Sequence, residues 1–205
     1  MSPERIPPIK PSDLTAEQKD AYDYMSQKAD EFFGDAFTYK KDDGSLIGPF
    51  APFLYTPALG KPFFDFVGAV SQIPGLPGTA REVVILATGA HYKGVYETYA
   101  HERVALKTTD LTKEQIKMIK SGEKPKDLGK GESVAFDATM ELVGKPGPLA
   151  KERWDEVVKE FGEQGALALV HYVGLYAYTC ILLNGCDVSL PEDEKLLEER
   201  AQSLI

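Results

Sequence analysis

Glu97 and His101 stand four residues apart in the stretch Arg81–Leu106, REVVILATGAHYKGVYETYAHERVAL, and Glu82 lies near its start. On a helix that spacing puts a carboxylate and an imidazole on one face, with Cβ atoms about 5–6 Å apart. A carboxylate beside the ring favours its charged form and fixes its orientation. Such a pair can carry a proton to or from a substrate, which is general acid–base chemistry. Most neighbouring residues are apolar. Ionisable groups on buried faces are costly unless paired, and shifted pKa values concentrate at such places. Two bland alternatives stand beside this one. Glu97–His101 is an ordinary surface pair worth a few tenths of a kcal/mol, or Glu82 simply closes a capping box opened by Thr79.

The elements that must position these groups are two antiparallel helices meeting at Lys93-Gly94. A hairpin brings Glu82 toward the far end of the second helix, so three groups converge: one ring and two carboxylates. Gly94 and Ala105 share the Glu97–His101 stripe and are expected to leave room beside it. His91 sits where a cation is favoured by a helix C-terminus, which makes capping its expected role. His171 is expected to be a satisfied core histidine or to line the same cavity. His91, Glu97 and His101 do not have the His-Glu-x-x-His zinc order, and no metal is expected. Tyr92, Tyr96, Tyr99, Tyr172, Tyr176 and Tyr178 read as core and interface residues, with one of them donating to a ligand. The chain carries no glycine-rich phosphate loop and no Gly-x-Ser-x-Gly.

Composition narrows the classes. The 205 residues carry a net charge of -9 and are 43% hydrophobic, with a pI near 4.9. An acidic chain of this kind does not suit a nucleic-acid partner, and any anionic substrate needs local cations. Cys180 and Cys186 fit neither a redox Cys-x-x-Cys nor a usual zinc pair. Together with an N-terminus, MSPERIPPIKPSD, that is not a signal peptide, they point to a reducing, cytoplasmic setting.

Along the chain, residues 1–12 read as an extended arm on the surface or on a neighbouring subunit. Thr15-x-x-Gln18 opens a helix to about Phe33. Asp43-Gly44 marks a small hairpin or loop within residues 37–50. A short helix follows, then a longer one from Pro62 with Phe63, Phe66, Val67 and Val70 as its stripe. After the central pair, Thr112 and Gln115 cap a helix ending near Ser121-Gly122. Further helices are expected at 132–143 and 149–161. Gln164–Leu183 contains no Asp, Glu, Lys or Arg. Its length permits a membrane span, but glycines, His171 and three tyrosines dilute it, and its flanks are acidic. It is expected to be a central helix buried on all sides, partly by subunit contact, rather than a membrane segment. Residues 187–205 read as a charged tail. The sum is one all-α domain, 1–205, of about eight or nine helices in packed hairpins.

At its centre the sequence resembles the carboxymuconolactone decarboxylase family, which shares its fold with the alkylhydroperoxidase D proteins. The matching text is Arg81-Glu82 with an apolar run, then Tyr96-Glu97-x-x-x-His101 with Ala105. Gly48-Pro49-Phe50, Leu54-x-x-Pro57 and Gly174-x-Tyr176 support it. The redox branch carries a Cys-x-x-Cys whose two positions fall on Gly94 and Glu97 here, so thiol peroxidase activity is not expected. The resemblance implies a lyase or isomerase without metal or organic cofactor, acting on a small unsaturated lactone or enolisable carboxylic acid. His101 would carry the proton, Glu97 orient it, and Glu82 relay or hold one. Arg81 or Lys93 would meet a substrate carboxylate, with Tyr96, His91 and His171 as further contacts. It also implies a homo-oligomer, a trimer or hexamer. The competing expectation is a non-catalytic oligomeric binding or scaffold protein of the same fold. A closed pocket between the two hairpin helices with His101 at its wall favours the enzyme.

Overall fold

The computed structural model describes residues 5–192 and 194. Its α-helices are α1 Ala16–Phe33, α2 Phe50–Tyr55, α3 Pro57–Ser71, α4 Gly78–Tyr92, α5 Val95–Thr108, α6 Lys113–Lys120, α7 Lys130–Gly144 and α8 Lys151–Cys186. No strand forms among the described residues. The expected hairpin at 37–50 reduces to a single antiparallel bridge between Lys40 and Leu46. Asp43 accounts for that turn: its carboxylate accepts from the Ser45 N–H at 3.0 Å, and Gly44 takes a φ of 86°. The two Thr-x-x-Gln boxes form as their spacing requires, at Thr15/Gln18 and Thr112/Gln115, with both reciprocal bonds present.

Helix α4 is the axis of the molecule. Every residue from Glu82 to Gly89 is buried, and the helix packs against α5, α6, α7 and α8. A second, largely aromatic core joins α1 to α2 and α3, built on Met25, Phe50, Phe53, Leu54 and Phe64. The two cores meet along α3 and α8, and the site lies there.

Several boundaries differ from expectation for identifiable reasons. Helix α3 starts at Pro57, so Pro62 falls inside it, where the missing N–H removes one bond to the preceding turn. Starting one turn earlier does not shift the pattern, but the neighbouring aromatic core decides which face is buried. Phe64 is enclosed, while Phe66 is 44% exposed. Helix α4 starts at Gly78 after a Pro77 cap with no side-chain bond. Thr79 is therefore not a cap, and Glu82 is free for another partner. The two expected helices at 149–161 and 164–183 run on as α8, interrupted at Gly162 by a non-helical φ of 71°.

The face of α8 directed at α4 is buried, but Leu167, Val170, Tyr178 and Ile181 are exposed, Ile181 by 58%. The helix is therefore not enclosed on all sides within one chain. By length and composition it could cross a membrane, with a mean hydropathy of 1.8 over its most apolar window, 56% of which is buried here. Residues 5–12 of the N-terminal arm lie on their own chain. Tyr55 donates its hydroxyl to the Pro7 carbonyl at 2.7 Å, and Arg5 donates to the Gly185 carbonyl at 3.1 Å. Most of the expected charged tail falls outside the described residues. Within them, Leu190 is buried against Tyr96 and Tyr99, and Glu194 pairs with Arg103.

Candidate active site

The hairpin that presents the site closes at Lys93, which takes the left-handed conformation at φ 53°. The Gly94 N–H then bonds back to the Gly89 carbonyl at 2.9 Å, a C-capping return that satisfies an end carbonyl. Gly89 lets α4 and α5 converge, since a Cβ there would lie 2.8 Å from Thr98 Cγ2. Close convergence brings side chains from facing turns into contact.

Glu82, Glu97 and His101 meet as the spacing suggested. His101 Nδ1 donates to Glu82 Oε2 at 2.8 Å. His101 Nε2 lies 3.3 Å from Glu97 Oε1. All three are buried, with exposures of 1% for Glu82, 5% for Glu97 and 4% for His101, so this is no surface ion pair. The second oxygen of Glu82 faces Arg81 Nε at 3.5 Å. Each oxygen of that buried carboxylate thus has a cationic neighbour, which offsets the cost of its desolvation.

The geometry divides the two carboxylates differently from the expected roles. Glu82 is the one that holds the ring, through a short, direct bond that fixes Nδ1 as the protonated nitrogen. Glu97 has no hydrogen bond among the described residues, and its approach to Nε2 is off hydrogen-bond geometry. Burial acts against the charge on His101, but the charge and hydrogen bond of Glu82, then the charge of Glu97, outweigh it and raise the ring above its ordinary pKa. Burial raises Glu97 too, with His101 opposing and Glu82 adding to the rise. A ring whose charged form is favoured thus faces a carboxyl group more basic than usual.

His101 and Glu97 form part of the wall of a cavity of about 40 Å³, above the roughly 10–15 Å³ that admits one water. The cavity does not lie between α4 and α5. The room expected beside Gly94 and Ala105 is taken: Ala105 packs with Val83, Leu86 and Ala87, and a Cβ on Gly94 would lie 2.6 Å from Cys180 Sγ. The cavity opens instead on the other side of α5. Phe63, Phe64 and Val67 of α3 form one wall and Leu175, Tyr176 and Thr179 of α8 another. Phe33, Phe37 and Pro49 form a roof.

Tyr96 lines the cavity with its ring only, because its hydroxyl donates to the Thr38 carbonyl at 2.6 Å. The same stretch of roof is held by Tyr99, whose hydroxyl accepts from the Thr38 N–H at 3.2 Å. Arg81, Lys93, His91 and His171 do not line the cavity. Arg81 is committed to Glu82. Lys93 and His91 are exposed at the hairpin end. His171 is not a core residue; it lies exposed on the outer face of α8, edge-on to Phe66 with ring centroids 6.2 Å apart.

Tyr176 is the site residue that spacing did not single out. Its ring stands edge-on to His101 at 4.8 Å between centroids. Burial, then the charges of Glu97 and Glu82, push its phenol well up, so it stays neutral. Only its place after Gly174, one turn beyond Tyr172 in the uncharged run 164–183, marked it in the sequence. Cys180 is buried against Gly94, and burial and the nearby Glu97 raise its thiol, which keeps it protonated. Both cysteines are free. Among the described residues no set of three or more histidine, cysteine or carboxylate side chains is arranged to hold a metal ion.

No protein-family model matches the chain, and no curated protein matches it. Among solved structures, a cysteine-to-alanine variant of the debrominase Bmp8 in complex with 2,3,4-tribromopyrrole is similar, with a TM-score of 0.70 and 14% identity, over 95% of this chain and 96% of that one. The apo form of the same debrominase gives 0.68 and 13%, over 91% of this chain and 92% of that one. At such low identity the likeness concerns architecture alone: the chain has an all-α, alkylhydroperoxidase D-like fold.

Proposed function

We propose that the protein is a cofactor-independent enzyme, an isomerase or lyase, that moves a proton at carbon on a small unsaturated lactone or related enolisable compound. One observation carries this reading: a buried imidazole, clamped by one carboxylate and facing a second, forms the wall of an otherwise apolar cavity. Two titratable groups whose surroundings push them toward opposite tasks make an acid–base pair. Glu97 takes a proton from the substrate carbon. The electron pair moves through the conjugated system onto the carbonyl oxygen, where charge develops opposite the His101 imidazolium. Return of one proton to the far carbon completes an isomerisation. In the lyase variant carbon dioxide leaves and a proton from His101 takes its place, again with no change of oxidation state. Glu82 does not touch the substrate; it positions the ring.

The solved neighbours support the enzyme reading only in so far as the same fold houses a debrominase in one protein. Thiol chemistry finds no support at this site, because the buried Cys180 thiol is held protonated. The scaffold alternative has no observation in its favour, since a structural core rarely keeps two carboxylates and an imidazole buried together. The test is incubation with carboxymuconolactone and with uncharged butenolides in heavy water, followed by NMR, with His101→Ala alongside. The expected result is deuterium on a ring carbon with wild-type protein and none with the variant. Equal incorporation by both proteins would sink the assignment of His101.

A further inference from the structure

The cavity has a chemical character that proton transfer alone does not require. Aromatic rings face it from four directions: Phe37 in the roof, Phe50 on α2, Phe64 on α3 and Tyr176 on α8. Such faces favour flat ligands through offset-stacked and edge-on contacts. Among the described residues, Glu97 and His101 are the lining side chains that can carry a charge near neutral pH, beside the neutral phenols Tyr96 and Tyr176, and no lysine or arginine contributes to it. The charges behind the wall cancel in pairs. Arg81 is set against Glu82, and His101 against Glu97. No positive charge is left over to receive an anion.

Glu97 adds a second, independent sign. It is 5% exposed, lines the cavity, and makes no hydrogen bond among the described residues. Its Oε1 lies 3.3 Å from His101 Nε2, and as a carboxylate it keeps acceptor capacity toward the cavity that a donor on a ligand can use.

We propose that this cavity binds a small, flat, uncharged conjugated ring that donates an N–H or O–H, carried on the ring or on a short substituent, to the Glu97 carboxylate, and rejects the carboxylate forms of such rings. This rests on the reading of the cavity as the active site and narrows its substrate to an uncharged lactone or heteroaromatic ring that bears an N–H or O–H, rather than a lactone acid. The volume of about 40 Å³ is below the roughly 150 Å³ of a cavity that takes benzene, so a ring enters only as the aromatic walls give way, and long substituents are excluded. The anion is rejected because the cation of the lining, His101, is already matched by Glu97, so a bound carboxylate would be desolvated with no counter-charge of its own.

The probes are furan carboxamide and furan carboxylate, nearly equal in shape and different in charge. Each is titrated calorimetrically into wild-type protein, Glu97→Gln and, as a control outside the cavity, His171→Ala. The carboxamide is expected to bind, with the carboxylate weaker by roughly tenfold or more. Glu97→Gln should narrow that gap by improving the carboxylate, and His171→Ala should leave it unchanged. Carboxylate binding as tight as the carboxamide, or no binding of either ring, would overturn the proposal. Because the assay reads binding without turnover, its failure separates from that of the function. Carboxamide binding with no deuterium entering any substrate sinks the proton-transfer reading and leaves this one. Exchange on a lactone acid alone does the reverse.

Discussion

At the scale of single residues the account turns on three side chains and the glycines that let them meet. Gly48 has φ 64°, and a Cβ there would lie 2.2 Å from the Tyr96 ring. Gly48→Ala combines a left-handed strain with a collision, and a loss of about 2 kcal/mol or more in urea unfolding is expected. Stability should also depend on pH through the two raised groups. Below its ordinary 6.5 the extra stability from His101 is fully present, and it is lost as pH rises through the raised folded value. The cost of ionising buried Glu97 is absent below its ordinary 4.5 and grows as pH rises through its raised value. Stability therefore falls with rising pH first through Glu97, from 4.5 upward, and through His101 only above 6.5. Urea midpoints across that window should fall for wild type and fall less for Glu97→Gln; an equal slope in both would remove Glu97 from the account. Spacing made the triad legible, because a four-residue separation on a helix fixes a shared face. It could not show which carboxylate holds the ring, since that depends on how closely α4 and α5 approach at Gly89.

At the scale of elements, the capping boxes at Thr15 and Thr112 were readable because both partners of each bond lie within four residues. The cavity was not readable, because its walls come from α1, α2, α3, α5 and α8. The same limit explains Thr79: its pattern is that of a cap, but Pro77 starts the helix earlier and Glu82 finds His101 instead. The break in α8 shows local and tertiary terms agreeing. Gly162 supplies the positive φ, and three residues later a Cβ on Gly165 would lie 2.8 Å from the Gly75 backbone. Gly165→Ala must push apart α8 and the turn before α4, and a cost of about 2–3 kcal/mol is expected. Unfolding midpoints read it directly, and a neutral substitution would mean that this contact does not set the position of α8.

At the scale of the whole molecule, the uncharged run 164–183 announced a buried helix, yet one chain leaves its outer face open. Leu167, Val170, Tyr178 and Ile181 on α8 lie exposed, as do Leu59 and Phe66 on α3. The inner faces of these two helices line the cavity. A second copy of the chain is the expected cover, consistent with the oligomer that the family resemblance implies. Sedimentation should show wild-type protein larger than one subunit and Ile181→Arg smaller while still folded; a wild-type monomer would contradict this. The acidic surface, net -9, leaves the uncharged character of the cavity without opposition, since a neutral ring is indifferent to long-range repulsion.

The central claim is that burial and two carboxylates turn His101 into a proton carrier. Its most direct test is an NMR titration of the His101 ring in wild-type protein and in Glu82→Gln, which keeps the shape of the clamp and removes its charge. The chain has 3 histidines, so the resonances separate readily by substitution. Wild-type His101 is expected to titrate above 6.5, and Glu82→Gln to lower it, because burial then acts with only Glu97 opposing it. A ring that titrates at or below 6.5 in the wild type, or that ignores the loss of the Glu82 charge, would contradict the account.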